Sequence, residues 1–309
     1  MAETDLNRHA ELNAGSAFER WRERNLPVLM LAPSVLILAG LTLFPAVYLF
    51  RVAFQKFNPD VNVPHEFAGL DNYRFMLEDE VFWRVLENNA WYAIGTIPVS
   101  IALAMLMAVW VNRRLPLRTF VRMSYFTPTV LPMIAVANIW LFFYTPEIGL
   151  IDQIAAGFGI GSSNWLGNPD TVLGCIIVLT IWKEAGFFMI FYLAALQSLP
   201  PELEEAARLE GASRWHFFRR VTFPLLMPTT LFVLINAVIN PFTLVDQLFI
   251  LTKGGPDNAS ALLLYYIYEV AFSFFDQAYA STLTVVLLAA LAIIAIGQFV
   301  ILDKRIHYR

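Results

Sequence analysis

Few residues in this chain of 309 could perform covalent or metal chemistry. The four histidines, His9, His65, His216 and His307, are scattered without metal-ligand spacing. Cys175 is the only cysteine and lies in an apolar run, which excludes a disulfide within the chain and a cysteine metal site. No grouping of Ser, His and Asp indicates nucleophilic catalysis. These residue types predict neither a metal centre nor a catalytic site.

The lysines exclude an ATP site of the Walker type. That phosphate-binding loop needs a glycine directly before its lysine, whereas Lys56, Lys183, Lys253 and Lys304 follow Gln, Trp, Thr and Asp. If the protein uses ATP and magnesium, we expect them on another polypeptide and no cofactor on this chain.

Residues that can form hydrogen bonds recur along the fifth apolar run. They are Thr222, Thr229, Asn236, Asn240, Thr243 and Gln247, spaced by seven, seven, four, three and four residues. At about 100° per residue, a helix places them within roughly 60° of one another. Pro241 interrupts the backbone within this polar stripe. Hydroxyls and carboxamides suit a polyhydroxyl solute, although they also hold membrane helices together. We interpret the stripe as the lining of a solute path, with interhelical packing as the alternative.

Lys183 and Glu184 are the second unusual feature, because they alone carry charge within the apolar run 171–201. A charge in a bilayer usually faces a cavity, a partner or an opposite charge. Successive helical residues point about 100° apart, so these two cannot face the same direction. Asp246 is a candidate partner for Lys183. A structural ion pair, a contact with another subunit and direct binding of an anionic solute all stay open.

These residues must be positioned by long apolar segments. Hydrophobic residues make up 58% of the chain and charged residues 15%, which indicates an integral membrane protein. Each of six apolar runs holds at least the ~20 residues that a helix needs to cross ~30 Å of hydrocarbon. The sequence therefore predicts an all-α protein with six transmembrane helices, near 27–50, 90–111, 123–144, 172–195, 224–248 and 279–302.

The remaining segments complete this organisation. A polar tail, 1–26, precedes a transmembrane domain over 27–302, and a short tail follows at 303–309. The first apolar run is too long for a cleavable signal, so we expect a retained anchor. Residues 259–275 are apolar but carry Glu269 and are short for a span. They predict a helix along the outer membrane surface or packed on the bundle.

Lys and Arg residues indicate the orientation, because cytoplasmic loops are enriched in them. With the amino terminus in the cytoplasm, fifteen of the 21 Lys and Arg residues lie inside and five lie outside. The sequence therefore predicts that both termini and the loop 200–224 are cytoplasmic. The segments 51–88, 145–171 and 249–278 are then external.

The loop 200–224 combines a proline start, an acidic first turn, a glycine and a basic second half. Pro201 suits the first turn of a helix, and Glu205 and its acidic neighbours suit the positive end of the helix dipole. Gly211 allows a sharp turn. We expect two short helices joined by a bend, which together form a compact knob.

This loop resembles the E-A-A signature loop of ABC import permeases, in which the permease grips its ATPase. The residues that carry the resemblance are Glu205, Ala206, Ala207, Gly211 and Pro224. Every spacing fits, although Phe223 stands where the family usually has leucine. The resemblance implies the fold of a type I ABC importer permease, with this loop as the cytoplasmic element that couples to the ATPase.

The resemblance extends to the carbohydrate group, which includes maltose, trehalose and glycerol-3-phosphate permeases. It is carried by Phe67–Tyr73, Trp165-Leu166, Ala194–Ser198, Thr252, Gly254–Pro256, Tyr265–Tyr268 and Asp303–Arg309. It implies a bacterial inner-membrane subunit that imports a sugar, polyol or glycerol phosphate. The implied partners are a second permease, an ATPase dimer, an extracytoplasmic solute-binding protein and membrane lipid, but no nucleic acid.

Two other classes of protein are alternatives to this interpretation. In a self-sufficient ion-coupled secondary transporter, Lys183, Glu184 and Asp246 would move protons. The complete spacing match of the loop and the lack of an evident internal repeat disfavour that alternative. A membrane enzyme is disfavoured because no metal-ligand or nucleophile grouping is present. The sequence leaves the identity of the solute open.

Overall fold

The computed structural model describes residues 17–58, 66–112, 118–159, 161–243 and 245–303. Predictions for most of the amino-terminal tail, for His9, His65 and His307 and for residues 304–309 lie outside the described residues. Fifteen α-helices are described. They are α1 (Ala17–Leu38), α2 (Phe44–Val52), α3 (Asp71–Glu78), α4 (Glu80–Val111), α5 (Arg118–Val130), α6 (Met133–Phe143), α7 (Leu150–Gly157), α8 (Pro169–Ser198), α9 (Pro201–Leu209), α10 (Arg214–Phe217), α11 (Phe223–Leu225), α12 (Met227–Thr243), α13 (Asp246–Leu251), α14 (Leu263–Phe272) and α15 (Gln277–Asp303).

The chain divides into two units at Ala53 and Phe54. The first unit contains a continuous apolar helical stretch, Asn25–Val52, that is long enough to cross a membrane. Between α1 and α2 the helix widens to a π-turn at Ala39–Leu43. Pro45 follows this turn and lacks the amide hydrogen that an α-helix needs at its position. A π-turn is a local way to accommodate that missing hydrogen bond.

The second unit supplies the other spans. Four helical stretches in it have the length and composition to cross a membrane: Glu80–Val111, Pro169–Ser198, Met227–Leu251 and Gln277–Gln298. With the first unit, the described residues contain five such stretches, or six if the bent pair α5 and α6 counts as one span. The all-α fold with six apolar spans is therefore confirmed.

The third predicted span, 123–144, is not one straight helix. α5 ends at Val130, α6 begins at Met133, and their axes differ by 102°. Pro132 stands at the break with extended backbone (φ −55°, ψ 140°). Proline has no amide hydrogen and disfavours helical geometry in the residue before it, which explains why the helix stops there.

The fifth predicted span, 224–248, is also interrupted. α12 runs from Met227 to Thr243, and the short helix α13 begins at Asp246. Pro241 lies in the last turn of α12. A single helical stripe therefore cannot run unbroken from Thr229 to Gln247, because Val245 between the two helices has a non-helical backbone (φ −127°, ψ −12°).

The core of the second unit is built around α4 and α8, which share the most extensive helix–helix contact in the part of the chain described. Gly95 lets the two helices approach, since a Cβ atom at its position would lie 2.9 Å from Ile177 Cδ1. Tyr92 on α4 is fully buried, and its hydroxyl lies 2.8 Å from Thr180 Oγ1 on α8. Small residues and satisfied polar groups are typical of membrane helix contacts.

The segment 259–275 packs on the bundle, which is one of the two placements that the sequence predicted. Its helix, α14, buries Tyr265, Tyr266 and Val270. The Asp79 carboxylate accepts hydrogen bonds from the hydroxyls of Tyr266 on α14 (2.7 Å) and Tyr279 on α15 (2.5 Å). The other Asp79 oxygen caps the start of α4. One side chain thus fastens three helices together.

A second carboxylate fastens the segment between α6 and α8. Asp152 is 4% exposed and accepts hydrogen bonds from the hydroxyl of Ser162, the amide of Glu147 (2.6 Å) and the indole of Trp165 (2.5 Å). The bonds from Ser162 and then Glu147 are the main reasons why the pKa of Asp152 falls to about 2. Trp165, which belongs to the Trp165-Leu166 motif of the resemblance, therefore has a structural role.

The close packing of α5 against α8 at Gly186 can be tested directly. A Cβ atom at Gly186 would collide with the Tyr125 carbonyl oxygen and lie 3.4 Å from Thr129 Oγ1. Gly174 on the same helix has no atom within 4 Å of the corresponding position. We expect Gly186→Ala to lower stability by about 1–3 kcal/mol, whereas Gly174→Ala leaves it unchanged or raises it by up to ~1 kcal/mol.

The measurement is the thermal midpoint of the detergent-purified protein or complex. Equal midpoints for the two variants would contradict the close approach of α5 and α8 at Gly186.

Candidate solute path and coupling loop

The loop 200–224 has the predicted helix–turn–helix form. α9 begins directly after Pro200, which takes an extended conformation (ψ 128°), and Pro201 occupies its first turn. Glu202 and Glu204 also lie in that first turn, where the helix dipole favours carboxylates. Glu205, which the sequence placed there as well, lies one residue beyond that turn. Arg208 pairs with Glu204 at 2.6 Å on the exposed surface. Such an exposed pair contributes only about 0.3–0.5 kcal/mol.

Gly211 ends α9 in the way the sequence predicts. Its φ is +72°, a conformation that residues with a side chain rarely adopt. The Gly211 amide donates to the Arg208 carbonyl (3.1 Å), and the Ala212 amide donates to the Ala207 carbonyl (2.9 Å). This pair of hydrogen bonds is a Schellman motif, which satisfies the last carbonyls of a helix. Ala207 therefore has a backbone role in the turn.

The next helix, α10, is capped by Ser213, whose hydroxyl accepts a hydrogen bond from the His216 amide. A π-turn at Phe218–Thr222 follows, directly before Phe223 and Pro224. As in the first unit, a π-turn lies just ahead of a proline without an amide hydrogen. Glu205, Ala206 and their neighbours on α9 lie on an exposed surface element. Leu209 and Trp215, 90% and 69% exposed, add apolar surface to the same loop.

The structure divides the predicted polar stripe into parts with different surroundings. Asn236 and Thr229 are half-buried and Thr243 is exposed. Asn236 donates to the carbonyl of Phe232 one turn earlier (2.7 Å). Gln247 lies beyond the break, is fully buried, and donates to the Tyr92 hydroxyl (3.2 Å). Thr222 lies in the π-turn ahead of α11 and is 7% exposed.

Asn240 joins α12 to the charged pair of α8. Its amide donates to Glu184 Oε2 at 2.7 Å. Both residues line a narrow cavity of about 10 Å³, together with Tyr92, Thr180 and Pro241. That volume accommodates about one water molecule, so a sugar does not fit into this cavity in the observed conformation.

Lys183 points in the other direction, as the helical geometry requires. Its ammonium donates to the carbonyls of Leu131 (2.7 Å) and Pro128 (3.0 Å), at the break between α5 and α6. Among the described residues the ion pairs within 4 Å are Lys56–Glu66, Arg74–Asp71 and Arg208–Glu204. The suggested pairing of Lys183 with Asp246 is therefore not formed.

Sequence reasoning missed two adjacent asparagines on α4. Asn89 is 1% exposed, donates to the Pro241 carbonyl (2.9 Å) and accepts from the Leu263 amide (2.6 Å). Asn88 donates to the carbonyls of Asn258 and Ala261. Two amides within a span are a recognisable signal, because such groups need internal partners in a membrane. The sequence cannot predict which groups of other helices and loops they bind.

The motif at Thr252 and Gly254–Pro256 forms a compact turn against α14. Gly254 has φ +80°, and a Cβ atom there would lie 2.8 Å from Tyr265 Cε1. The Ser260 hydroxyl contacts Thr252 Oγ1 (2.8 Å) and the Gly255 carbonyl (2.7 Å). These motif residues are explained by local backbone geometry and packing.

The motif at Phe67–Tyr73 has a comparable role. The Ala68 amide donates to the Phe54 carbonyl (2.8 Å), and the Asn72 side chain donates to the Gln55 carbonyl (2.9 Å). Gly69 takes φ +58° between them. The motif therefore closes a loop at the start of the second unit.

Comparison with known proteins identifies the class to which this arrangement belongs. Residues 100–308 match the family described as binding-protein-dependent transport system inner membrane component. The chain belongs to this family. It is therefore a membrane permease component, as predicted, and not an enzyme.

Curated relatives cover almost the whole chain. The sulfoquinovosyl glycerol transport system permease of Agrobacterium fabrum is 30% identical over 273 residues, which cover 87% of this chain and 89% of that protein. The sn-glycerol-3-phosphate transport system permease of Escherichia coli is 29% identical over 297 residues, 94% of this chain and 98% of that one.

A solved structure supports the fold. A chain of a bacterial ABC transporter that imports the acidic polysaccharide alginate superposes with a TM-score of 0.82 at 22% identity, covering 94% of this chain and 99% of that chain. The type I importer permease fold implied by the sequence is thus confirmed.

The turn at Gly211 yields a prediction with a matched control. A Cβ atom at Gly211 has open space, so only the backbone conformation opposes a substitution. Gly211→Val should destabilise the end of α9 by about 1–2 kcal/mol, because a β-branched residue disfavours positive φ. Gly211→Asn should be much milder, since asparagine tolerates this conformation.

The measurement is the protection of the α9 amides from hydrogen exchange in the two variants. Normal protection in Gly211→Val would show that the positive φ is not needed for the turn.

Proposed function

We propose that this chain is one of two permease subunits in an ATP-driven importer that moves a carbohydrate-type solute into the cytoplasm. The solute class includes sugars, polyols and glycerol phosphates. The observation that carries the proposal is nearly full-length similarity to permeases named for such solutes, together with the exposed α9–Gly211–α10 loop.

Coupling in this proposal runs through the loop 200–224. An ATPase dimer, which binds ATP and magnesium, receives the exposed face of α9 around Glu205 and Ala206. Small alanine side chains allow close approach of another surface, while the Schellman turn at Gly211 holds the second helix at a fixed angle. Closure of the ATPase then moves this loop and the spans attached to it.

The solute path in this proposal follows the half-buried and exposed part of α12. Thr229, Asn236 and Thr243 supply donors and acceptors for hydroxyl groups. Asn240 contributes the carboxamide oxygen, because its amide donates to Glu184. Gln247 supports the wall of the path from the core rather than lining it, because it is fully buried. The second permease supplies the facing wall, and an extracytoplasmic binding protein delivers the solute.

The proposed orientation places both termini and the loop 200–224 in the cytoplasm. The charge asymmetry of the loops supports this orientation. The segment 145–171 and the turn 252–262 then face the outside, where the binding protein docks.

Purification of the complex in mild detergent tests the function. Co-purification of a second permease and an ATPase, with hydrolysis stimulated by a solute-loaded binding protein, is expected. The solute itself is sought by thermal-shift screening of that binding protein with sugars, polyols and glycerol phosphates. Solute uptake driven by an ion gradient in liposomes that contain only this chain would contradict the proposal.

Orientation is tested with single cysteines in a Cys175→Ser background. Leu209→Cys and Gly161→Cys are suitable because Leu209 is 90% exposed and a side chain at Gly161 meets open space. In intact cells with a permeable outer layer, an impermeant maleimide should label position 161 only. In inside-out vesicles it should label position 209 only. The reverse pattern would invert the topology.

The path is tested by two asparagines with the same local geometry. Asn236 donates to the Phe232 carbonyl (2.7 Å), and Asn138 on α6 donates to the Ile134 carbonyl (2.8 Å), each one turn back. We expect Asn236→Leu to lower uptake of the solute found by screening at least about tenfold, as losing a hydrogen bond to a bound solute does, with assembly intact.

Asn138→Leu removes the same kind of local hydrogen bond outside the stripe and should have little effect. Equal losses of uptake in both variants, or loss of assembly in Asn236→Leu, would show that the stripe is packing rather than path.

A further inference from the structure

Two membrane spans of this chain are interrupted, and both interruptions leave backbone carbonyls near a proline. In the third span, Pro132 cannot supply the amide hydrogen that would bond the Pro128 carbonyl. The Leu131 carbonyl lies at the same break, where the chain turns by 102°. An unsatisfied carbonyl at membrane depth is strongly unfavourable, so this break needs a donor from elsewhere.

Lys183 is that donor. Its ammonium lies 3.0 Å from the Pro128 oxygen and 2.7 Å from the Leu131 oxygen, the two carbonyls that the break exposes. Hydrogen bonds from a charged donor are stronger than neutral ones. Because an ammonium has three hydrogens, this geometry commits two of them to the backbone of a neighbouring span.

Glu184, the next residue, serves the other interrupted span. Its carboxylate accepts a hydrogen bond from the side-chain amide of Asn240 (2.7 Å). Asn240 directly precedes Pro241 and lies in the last turn of α12. On the opposite side, Asn89 of α4 donates to the Pro241 carbonyl (2.9 Å). The interrupted region of α12 is thus held between α4 and α8.

We propose that Lys183 and Glu184 act as a clasp, in which adjacent residues of α8 hold the broken third span and the interrupted fifth span in one relative geometry. They are positioning residues rather than solute ligands. The ammonium is committed to backbone carbonyls, and the cavity beside Glu184 has room for about one water molecule. Lys183 and Glu184 are consecutive residues of α8. A rotation of α8 must therefore move the contact of Lys183 with the third span and the contact of Glu184 with the fifth span together.

The clasp rests on the proposed function only where it concerns transport, because the alternating movement of the spans would then strain both contacts at once. Its geometric part does not depend on the solute or on the ATPase. The two parts can therefore be tested separately.

The geometric test measures the angle between α5 and α6. Spin labels are placed at Met123 and Ile139, 63% and 45% exposed, as cysteines in a Cys175→Ser background. We expect a single narrow distance distribution in the parent. Lys183→Met should broaden this distribution or shift it to longer distances, because methionine keeps most of the aliphatic side chain but has no hydrogen-bond donor. Lys183→Arg keeps a charged donor and should leave the distribution as in the parent.

Pro132→Ala provides an internal control, since alanine returns the amide hydrogen that the Pro128 carbonyl lacks. In this background Lys183→Met should have a smaller effect than in the parent. Unchanged distances in Lys183→Met, or equal effects in both backgrounds, would overturn the assignment of Lys183 to the break.

The functional test uses ATP hydrolysis by the reconstituted importer with its solute-loaded binding protein. Lys183→Met should reduce the stimulated rate about tenfold or more, the change expected for losing charged hydrogen bonds, while the half-saturating concentration of loaded binding protein and solute affinity stay the same. Glu184→Gln, which keeps an acceptor for Asn240, should retain more of the rate than Glu184→Leu.

Weaker solute binding at an unchanged maximal rate would mean that Lys183 contacts the solute and would overturn the clasp. Failure of the complex to assemble in the parent protein would contradict the proposed function instead, and the spin-label distances would still test the clasp.

Discussion

The constraint on which this structure depends is the need to satisfy every backbone polar group inside a membrane. Pro132 stands at the break in one span and Pro241 lies in the last helical turn before the break in another, and the chain supplies side-chain donors at both places. Lys183 reaches the carbonyls at the first break, and Asn89 reaches the carbonyl of Pro241. The polar and charged residues Lys183 and Asn89, which are unusual in an apolar span, thus satisfy backbone carbonyls where spans are interrupted.

The same principle organises the ends of the spans. Asp79 holds the start of α4 together with tyrosines of α14 and α15, and Asp152 gathers the segment before α8. Each carboxylate has several donors, so neither is left as an isolated charge. The interrupted spans are also packed in the core, since Val136 on α6 and Val233 on α12 are fully buried.

Such an arrangement suits the proposed function, in which a loop outside the bundle moves helices inside it. The Schellman turn at Gly211 fixes the end of α9 within the loop 200–224. α8 ends where that loop begins, and it carries Lys183 and Glu184 in its middle. If the loop moves as proposed, α8 is the helix that would carry this movement to both interrupted spans.

The sequence by itself determined the elements that depend on local rules. Apolar run length predicted the spans, Pro201 and Gly211 predicted the limits of α9, and the E-A-A spacing indicated the family. It could not predict the bend at Pro132, because a run of the right length reads as one helix whether or not its axis turns by 102°. Nor could it assign Lys183 to carbonyls more than fifty residues away, or separate Gln247 from Asn236. Only tertiary structure decided those contacts, since helix periodicity fixes direction around one axis and not what the neighbouring helix presents there.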